Sequence, residues 1–279
     1  MSPEVSPEGI ILAAGEGTRF YPLSKYLAKE FLPIPYYKDK ENYHAKNNGT
    51  PFIVAIYDQI KDLTDSIYLV VNSLKQKSLD EIKKDYQIKA REVHKDLPLG
   101  DASALDGLLK EGKTYLIHYG DLIYNSPKFR EDISEALNII KNQEYGVVFL
   151  ANKVFDEEEV KRFGVFKTEG NKIIEIYEKP KEKEILESLK KKDYWLVNSG
   201  IYVLKPNKEL IEYIREETER AKNEFYNKGK FKEAVMTKIL NNLIKKGFPA
   251  YAVEIKDHKN FMDLGTFKDW IKAWNKYFS

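Results

Sequence analysis

The segment Ile11-Leu12-Ala13-Ala14-Gly15-Glu16-Gly17-Thr18-Arg19 holds the residues of this sequence best suited to chemistry. An apolar run passes into small residues and glycines, so the backbone N–H groups of Ala13, Ala14, Gly15, Gly17 and Thr18 can approach phosphate oxygens. Arg19 and Lys29 add cations suited to a polyphosphate. The loop is not the dinucleotide fingerprint, because Phe20 stands where a third glycine must let helix pack on strand, and no Gly-Lys-Ser/Thr follows to make a Walker loop. The absence of cysteine removes thiolate catalysis, disulfides and thiolate-bound metals. The four histidines, His44, His94, His118 and His258, have no ligand spacing and are expected to be structural. Carboxylates and cations remain. Asp121 closes an apolar run, Asp263 precedes the last helical stretch, and Glu178-Lys179 precedes Pro180. Taken singly these are ordinary: Asp121 suits a turn or cap, Glu178 and Lys179 lie in a charged stretch, and Thr266 with Asp269 reads as a helix capping pair.

The elements that must position these residues alternate. Strands are expected over 9–14, 66–72, 114–118 and 145–151, with helices over 51–63, 73–84, 102–110 and 127–141, the pattern of strands feeding crossover helices. Beyond 151 the style changes to a strand pair, 164–168 and 172–177, around Glu169-Gly170-Asn171. A charged helix over 181–192, a strand over 197–204, helices over 207–222 and 232–246, a strand over 250–255 and a helix from Phe267 complete the order. The stretch 35–50 is long for a connection, which suits a lid or binding loop; the Tyr36-Tyr37 pair within it could reach a ligand.

The whole chain, 279 residues with 46 basic against 44 acidic side chains, carries no dominant single-sign field, so nucleic acid is not the expected partner. The run 10–14 is too short to cross a bilayer and residues 1–8 lack the pattern of a secretory signal, so a cytoplasmic protein without a membrane partner is expected; a homo-oligomer is compatible with the sequence. A cysteine-free chain rich in Lys and Glu also matches the composition that heat adaptation favours.

With Arg19, Pro22 and Lys29 in register, the first loop resembles the signature of the sugar-1-phosphate nucleotidyltransferases of the glucose-1-phosphate uridylyl- and thymidylyltransferase type. Further matching segments follow in order: His118-Tyr119-Gly120-Asp121, Phe163-Gly164-Val165, Glu178-Lys179-Pro180 with Asn198-Ser199-Gly200-Ile201-Tyr202, and Asp263-Leu264-Gly265-Thr266. The resemblance covers nearly the whole chain. It implies a single domain with a three-layer α/β/α, Rossmann-like core and a mixed, mainly parallel sheet. Its nucleotide-binding half would span about 1–150 and its sugar-binding half about 151–279, and no C-terminal β-helix is expected because short-period repeats are lacking.

The implied reaction joins a nucleoside triphosphate, UTP or dTTP first, to a sugar 1-phosphate such as glucose 1-phosphate, releasing pyrophosphate with Mg²⁺ as cofactor. By resemblance Asp121 and Asp263 hold Mg²⁺, Arg19 and Lys29 contact the triphosphate, Lys179 contacts the sugar phosphate, and Gly164, Glu178 and Asn198 line the sugar. The chemistry agrees: two phosphorylated substrates bring negative charge together, and two carboxylates on a hard cation beside three cationic side chains neutralise it. No general base is required, because the attacking phosphate oxygen is already an anion.

The sequence departs from the family pattern at Ala28, where proline is usual before the lysine, in the length of 35–50, and at Asp101 after Gly100, where the base is read and a neutral residue is typical. A carboxylate accepts hydrogen bonds and donates none, so Asp101 facing the base would favour GTP or CTP; as a helix cap it would leave UTP or dTTP preferred. The same chemistry on a non-sugar phosphate, and a silent regulatory subunit that only binds sugar nucleotides, are the alternative readings.

Overall fold

The computed structural model describes residues 6–21, 23–25, 27–35, 49–228 and 231–278, so the expectations for Pro22, Tyr36, Tyr37 and His44 fall outside the described residues. In chain order the first elements are β1 (Glu8–Ala13), β2 (Pro33–Ile34), β3 (Thr50–Pro51), α1 (Phe52–Ile60), β4 (Ser66–Val71), α2 (Gln76–Tyr86), β5 (Arg91–His94), α3 (Asp101–Leu105), β6 (Tyr115–Tyr119), β7 (Leu122–Tyr124) and α4 (Phe129–Lys141). There follow β8 (Gly146–Val154), α5 (Glu157–Val160), β9 (Gly164–Glu169), β10 (Lys172–Glu178), α6 (Lys183–Leu189), β11 (Trp195–Lys205), α7 (Lys208–Lys228), α8 (Met236–Ile244), β12 (Ala250–Glu254), β13 (Phe261–Asp263) and α9 (Phe267–Phe278). This is the expected α/β class with a mixed sheet.

The chain forms two compact units whose sequences interleave. The first comprises Met1–Pro98, His118–Phe129 and Lys259–Ser279; the second comprises Leu99–Ile117 and Arg130–His258. In the first unit the sheet runs β5-β4-β1, with β1 parallel to β4 and β4 parallel to β5, and the end of β6, His118 and Tyr119, belongs to this unit too. Apolar residues fill β1 and β4 almost continuously (Ile10, Ile11, Leu69, Val70 and Val71 are buried), as strands covered on both faces require. Helix α1, buried from Phe52 to Tyr57 and at Ile60, is apolar on nearly every side. Gly9 leaves the space this needs: a Cβ there would lie 3.1 Å from Ile67 and 3.3 Å from Ile60.

In the second unit the strand order is β11-β8-β12-β10-β9, and β9 returns to pair with β11 at Val165 and Val197. Strands β8 and β12 are parallel, whereas β11–β8, β10–β12 and β10–β9 are antiparallel. Phe149 packs against Phe166 and Tyr202 with ring centroids 5.0 and 5.2 Å apart, and Trp195 anchors a second cluster with Val165, Leu186 and Val197, its indole N–H donating to Leu186 O at 2.7 Å. Each such side chain taken wholly out of water contributes roughly 1.5–3 kcal/mol before entropy is counted.

Helix α7 runs six residues past its expected end at 222, and three other elements differ from expectation for local reasons. Helix α3 stops at Leu105 instead of reaching 110, and Gly107 follows at φ 79°. Helix α8 begins at Met236, four residues after the expected start at 232, because Ala234 is held in backbone bonds with Leu99 and Ala102. Strand β5 was not expected, since Arg91-Glu92-Val93-His94 lacks apolar alternation; it is a charged edge beside β4.

Candidate active site

In the first unit the glycine loop leaves β1 at Ala13. Gly17 takes a left-handed conformation at φ 67° and starts the turn Thr18–Phe20, whose buried Phe20 anchors it while Arg19 stays exposed. Lys29 opens a second such turn, Lys29–Phe31, seated by the buried Phe31 and Leu32. Ala28 stands at φ −61°, ψ 136°, the φ that proline would fix, so its departure from the family pattern leaves the backbone conformation intact.

Asp121 reaches the same place from β6. Gly120 donates its N–H to Leu12 O at 2.8 Å, and a Cβ at Gly120 would lie 2.7 Å from that oxygen, so only glycine lets the chain pass this close to β1. The Lys29 ammonium donates to Asp121 Oδ2 at 2.7 Å. Burial alone would push the Asp121 carboxyl up; Lys29 and Arg19 outweigh it and hold the group below its ordinary value. Burial likewise pulls Lys29 down, and Asp121 with Glu30 outweighs it, so the ammonium is held above its ordinary value. Both groups are therefore ionised at neutral pH.

Strand β13 brings Asp263 alongside. It pairs antiparallel with β7, setting Asp263 opposite Leu122, and Leu264 N–H donates to Asp121 O at 2.9 Å. Asp263 Oδ1 accepts the Gly265 N–H at 2.7 Å, and a Cβ at Gly265 would lie 2.8 Å from that oxygen and 3.0 Å from an Arg19 guanidinium nitrogen. The first unit thus gathers Arg19, Lys29, Asp121 and Asp263. The expected capping pair is present too, with Thr266 Oγ1 donating to Asp269 Oδ2 at 2.6 Å. No cluster of three or more His, Asp or Glu able to hold a metal occurs among the described residues. The carboxylates of Asp121, in the turn before β7, and Asp263, at the end of the neighbouring β13, nevertheless suit Mg²⁺, which takes hard oxygen donors and needs only one or two carboxylates when phosphate and water complete its shell.

The sugar-side candidates lie in the second unit. Gly164 sits opposite Glu178 across β9 and β10; a Cβ at Gly164 would lie 3.1 Å from Glu178 Oε2. Thr237 Oγ1 donates to that same oxygen at 2.6 Å. Lys179 sits at φ 51° directly before Pro180, an uncommon backbone state held by its N–H donating to Phe163 O at 3.0 Å, and its exposed ammonium lies 3.7 Å from Glu178 Oε1. Asn198 begins an irregularity in β11 that lasts to Tyr202, and its Oδ1 accepts the Gly200 N–H at 2.9 Å.

Gly100 has φ 109° and its backbone lies against Ala234, whose carbonyl oxygen would be 2.4 Å from a Cβ. Asp101 Oδ1 accepts the N–H groups of Ala102 and Met236, each at 3.0 Å, so it caps the start of α8. Sequence reasoning missed Lys75, Glu30 and Thr237. Lys75 donates to Ala13 O, Gly15 O and Glu30 Oε2 at 2.6, 2.7 and 2.9 Å, directly beneath the loop. The one available signal was that a parallel β1–β4 pair delivers the residues after both strands to the same edge.

Residues 8–279 match the family model described as nucleotidyl transferase. The bifunctional protein GlmU of Methanococcus maripaludis is 30% identical over 271 residues, which are 97% of this chain and 54% of the relative. The chain thus spans about half the length of the GlmU relatives it matches. The UTP–glucose-1-phosphate uridylyltransferase AglF of Haloferax volcanii is 26% identical over 181 residues, 63% of this chain and 66% of the relative. A solved structure of UDP-glucose pyrophosphorylase complexed with UDP-glucose has the same fold, with a TM-score of 0.70 at 20% identity, covering 98% of this chain and 99% of that one.

Proposed function

Because the chain belongs to the nucleotidyl transferase family, we propose that it joins a nucleoside triphosphate to a sugar 1-phosphate and releases pyrophosphate. The observation that carries the reading is the gathering of Arg19, the Lys29–Asp121 pair and Asp263 beside the glycine loop within one unit. Loop N–H groups and the Arg19 and Lys29 cations bind the triphosphate. Asp121 and Asp263 would hold Mg²⁺, which when bound neutralises phosphate charge and stabilises the departing pyrophosphate. Lys29 holds Asp121 ionised and so ready to ligate a cation.

In the second unit Glu178 and Asn198 accept hydrogen bonds from sugar hydroxyls, Gly164 leaves the room they need, and Lys179 takes the phosphate. A sugar phosphate oxygen attacks the α-phosphorus, the bond to the bridging oxygen breaks, and pyrophosphate leaves. Glucose 1-phosphate with UTP or dTTP is the preferred pair: the Asp101 oxygen that could have faced the base already accepts two backbone N–H groups.

The test is pyrophosphate release across a grid of the common triphosphates and sugar 1-phosphates in Mg²⁺. Release with UTP or dTTP and a hexose 1-phosphate is expected. Silence across the whole grid would remove the reading.

A further inference from the structure

Lys75 touches none of the groups assigned to substrates above, yet all three donors of its ammonium are used, on Ala13 O, Gly15 O and Glu30 Oε2. Its route there is short. Asn72 directly follows β4 and its Oδ1 accepts the Leu74 N–H at 2.9 Å, which starts the turn Ser73–Lys75. Since Ala13 and Val71 are paired neighbours on parallel strands, that turn emerges beside the glycine loop. Glu30, itself buried, offsets part of the cost of burying the ammonium, and Lys75 still titrates below its ordinary value because burial outweighs the ion pair.

A trans peptide unit points its C=O and the next N–H in opposite directions. Two carbonyls of the loop, those of Ala13 and Gly15, turn toward the one ammonium. The N–H groups that follow them, on Ala14 and Glu16, are thereby turned to the opposite side of the loop. Released from Lys75, the same peptide planes could rotate and present carbonyl oxygens there, which repel phosphate.

We propose that Lys75 is a positioning residue: by fixing the peptide planes after Ala13 and Gly15, it presents the Ala14 and Glu16 N–H groups to a polyphosphate that it does not itself touch. The inference rests on the reading of this loop as a triphosphate site.

The probe is inorganic tripolyphosphate with Mg²⁺, which carries no base, titrated calorimetrically into full-length protein. Lys75→Met is made together with Glu30→Gln so that no buried carboxylate is left unpaired, and Glu30→Gln alone retains the ammonium on the carbonyls. Affinity of the double variant should fall about tenfold or more, the loss expected for bonds to a charged group, while Glu30→Gln stays close to wild type. In ¹⁵N-labelled protein the Ala14 and Glu16 amides should shift on binding in wild type and cease to shift in the double variant.

Unchanged affinity in the double variant would overturn the inference. Weakened binding with both amide shifts retained would overturn it as well, since the ammonium would then act on phosphate directly. If wild-type protein binds neither tripolyphosphate nor any common triphosphate, the triphosphate reading fails and the inference falls with it.

Discussion

Asp121 and Lys29 form a pair whose charges sustain each other, and removing the carboxylate charge at Asp121 or at Asp263 has a defined consequence. Asp121→Asn or Asp263→Asn should lower turnover by orders of magnitude with the fold retained, because a metal's charge stabilisation is worth several kcal/mol; near-wild-type turnover of both variants in Mg²⁺ would contradict their roles. Asp101→Gln should leave the order of triphosphate preference in kcat/KM unchanged while costing about 1 kcal/mol of stability through the lost cap on α8. A shift of preference away from GTP or CTP would instead put Asp101 on the base. His118, fully buried beside Phe129, has its pKa lowered by burial to about 4, and its Nε2 has no hydrogen-bond partner. The unfolded chain therefore binds the extra proton first, and stability present above pH 6.5 is lost as pH falls toward 4. Between pH 7 and 5 this residue should remove about 2 kcal/mol, read as the difference between wild type and His118→Asn in urea unfolding at both pH values. Asp121, Lys29 and Asp263 were legible because each sits in a short ordered motif. Lys75 and Thr237 were not, since each acts on residues about 60 positions away through partners that only tertiary structure supplies.

At the scale of elements, the long apolar and periodic stretches were legible to within a few residues: β1, β4, β11 and α4 lie where they were expected, whereas α7 begins as expected and runs six residues further. The three-residue strands β7 and β13 were not, although they bring Asp263 beside Asp121, because three residues are too few to show a period. The hairpin of β9 and β10 was read correctly, but the left-handed state of Lys179 at its end was not, since nothing in Glu-Lys-Pro announces it. Replacing Lys179 by Gly should relieve about 1 kcal/mol of backbone strain and raise the melting temperature, while weakening sugar 1-phosphate use. Lys179→Ala should impair sugar 1-phosphate use far more than triphosphate binding and Arg19→Ala should do the reverse; equal losses for both ligands by calorimetry would refute that division.

At the scale of the molecule, the alternation of strands with helices and the order of motifs pointed to an α/β protein that handles phosphates, and both the family match and the mixed sheet agree. The interleaving was not legible, since hydrophobic periodicity carries no record of which strands become neighbours. No helix among the described residues is long and apolar enough to cross a membrane. The chain passes between units four times, and its last passage, at Lys259, supplies the first unit with β13 and α9. Helix α9 closes that unit through Trp270 and Trp274, whose indoles both donate to Pro33 O at 2.8 and 3.1 Å. On the ribosome this imposes a schedule: every segment of the second unit is made before the first unit receives its final pieces. Nascent chains halted before residue 259 should resist protease across 130–258 and be cut within 8–94, and equal resistance of both would argue against the schedule. A chain halted before residue 259 therefore carries Asp121 without Asp263, and on the proposed reading it holds only half of its cation site.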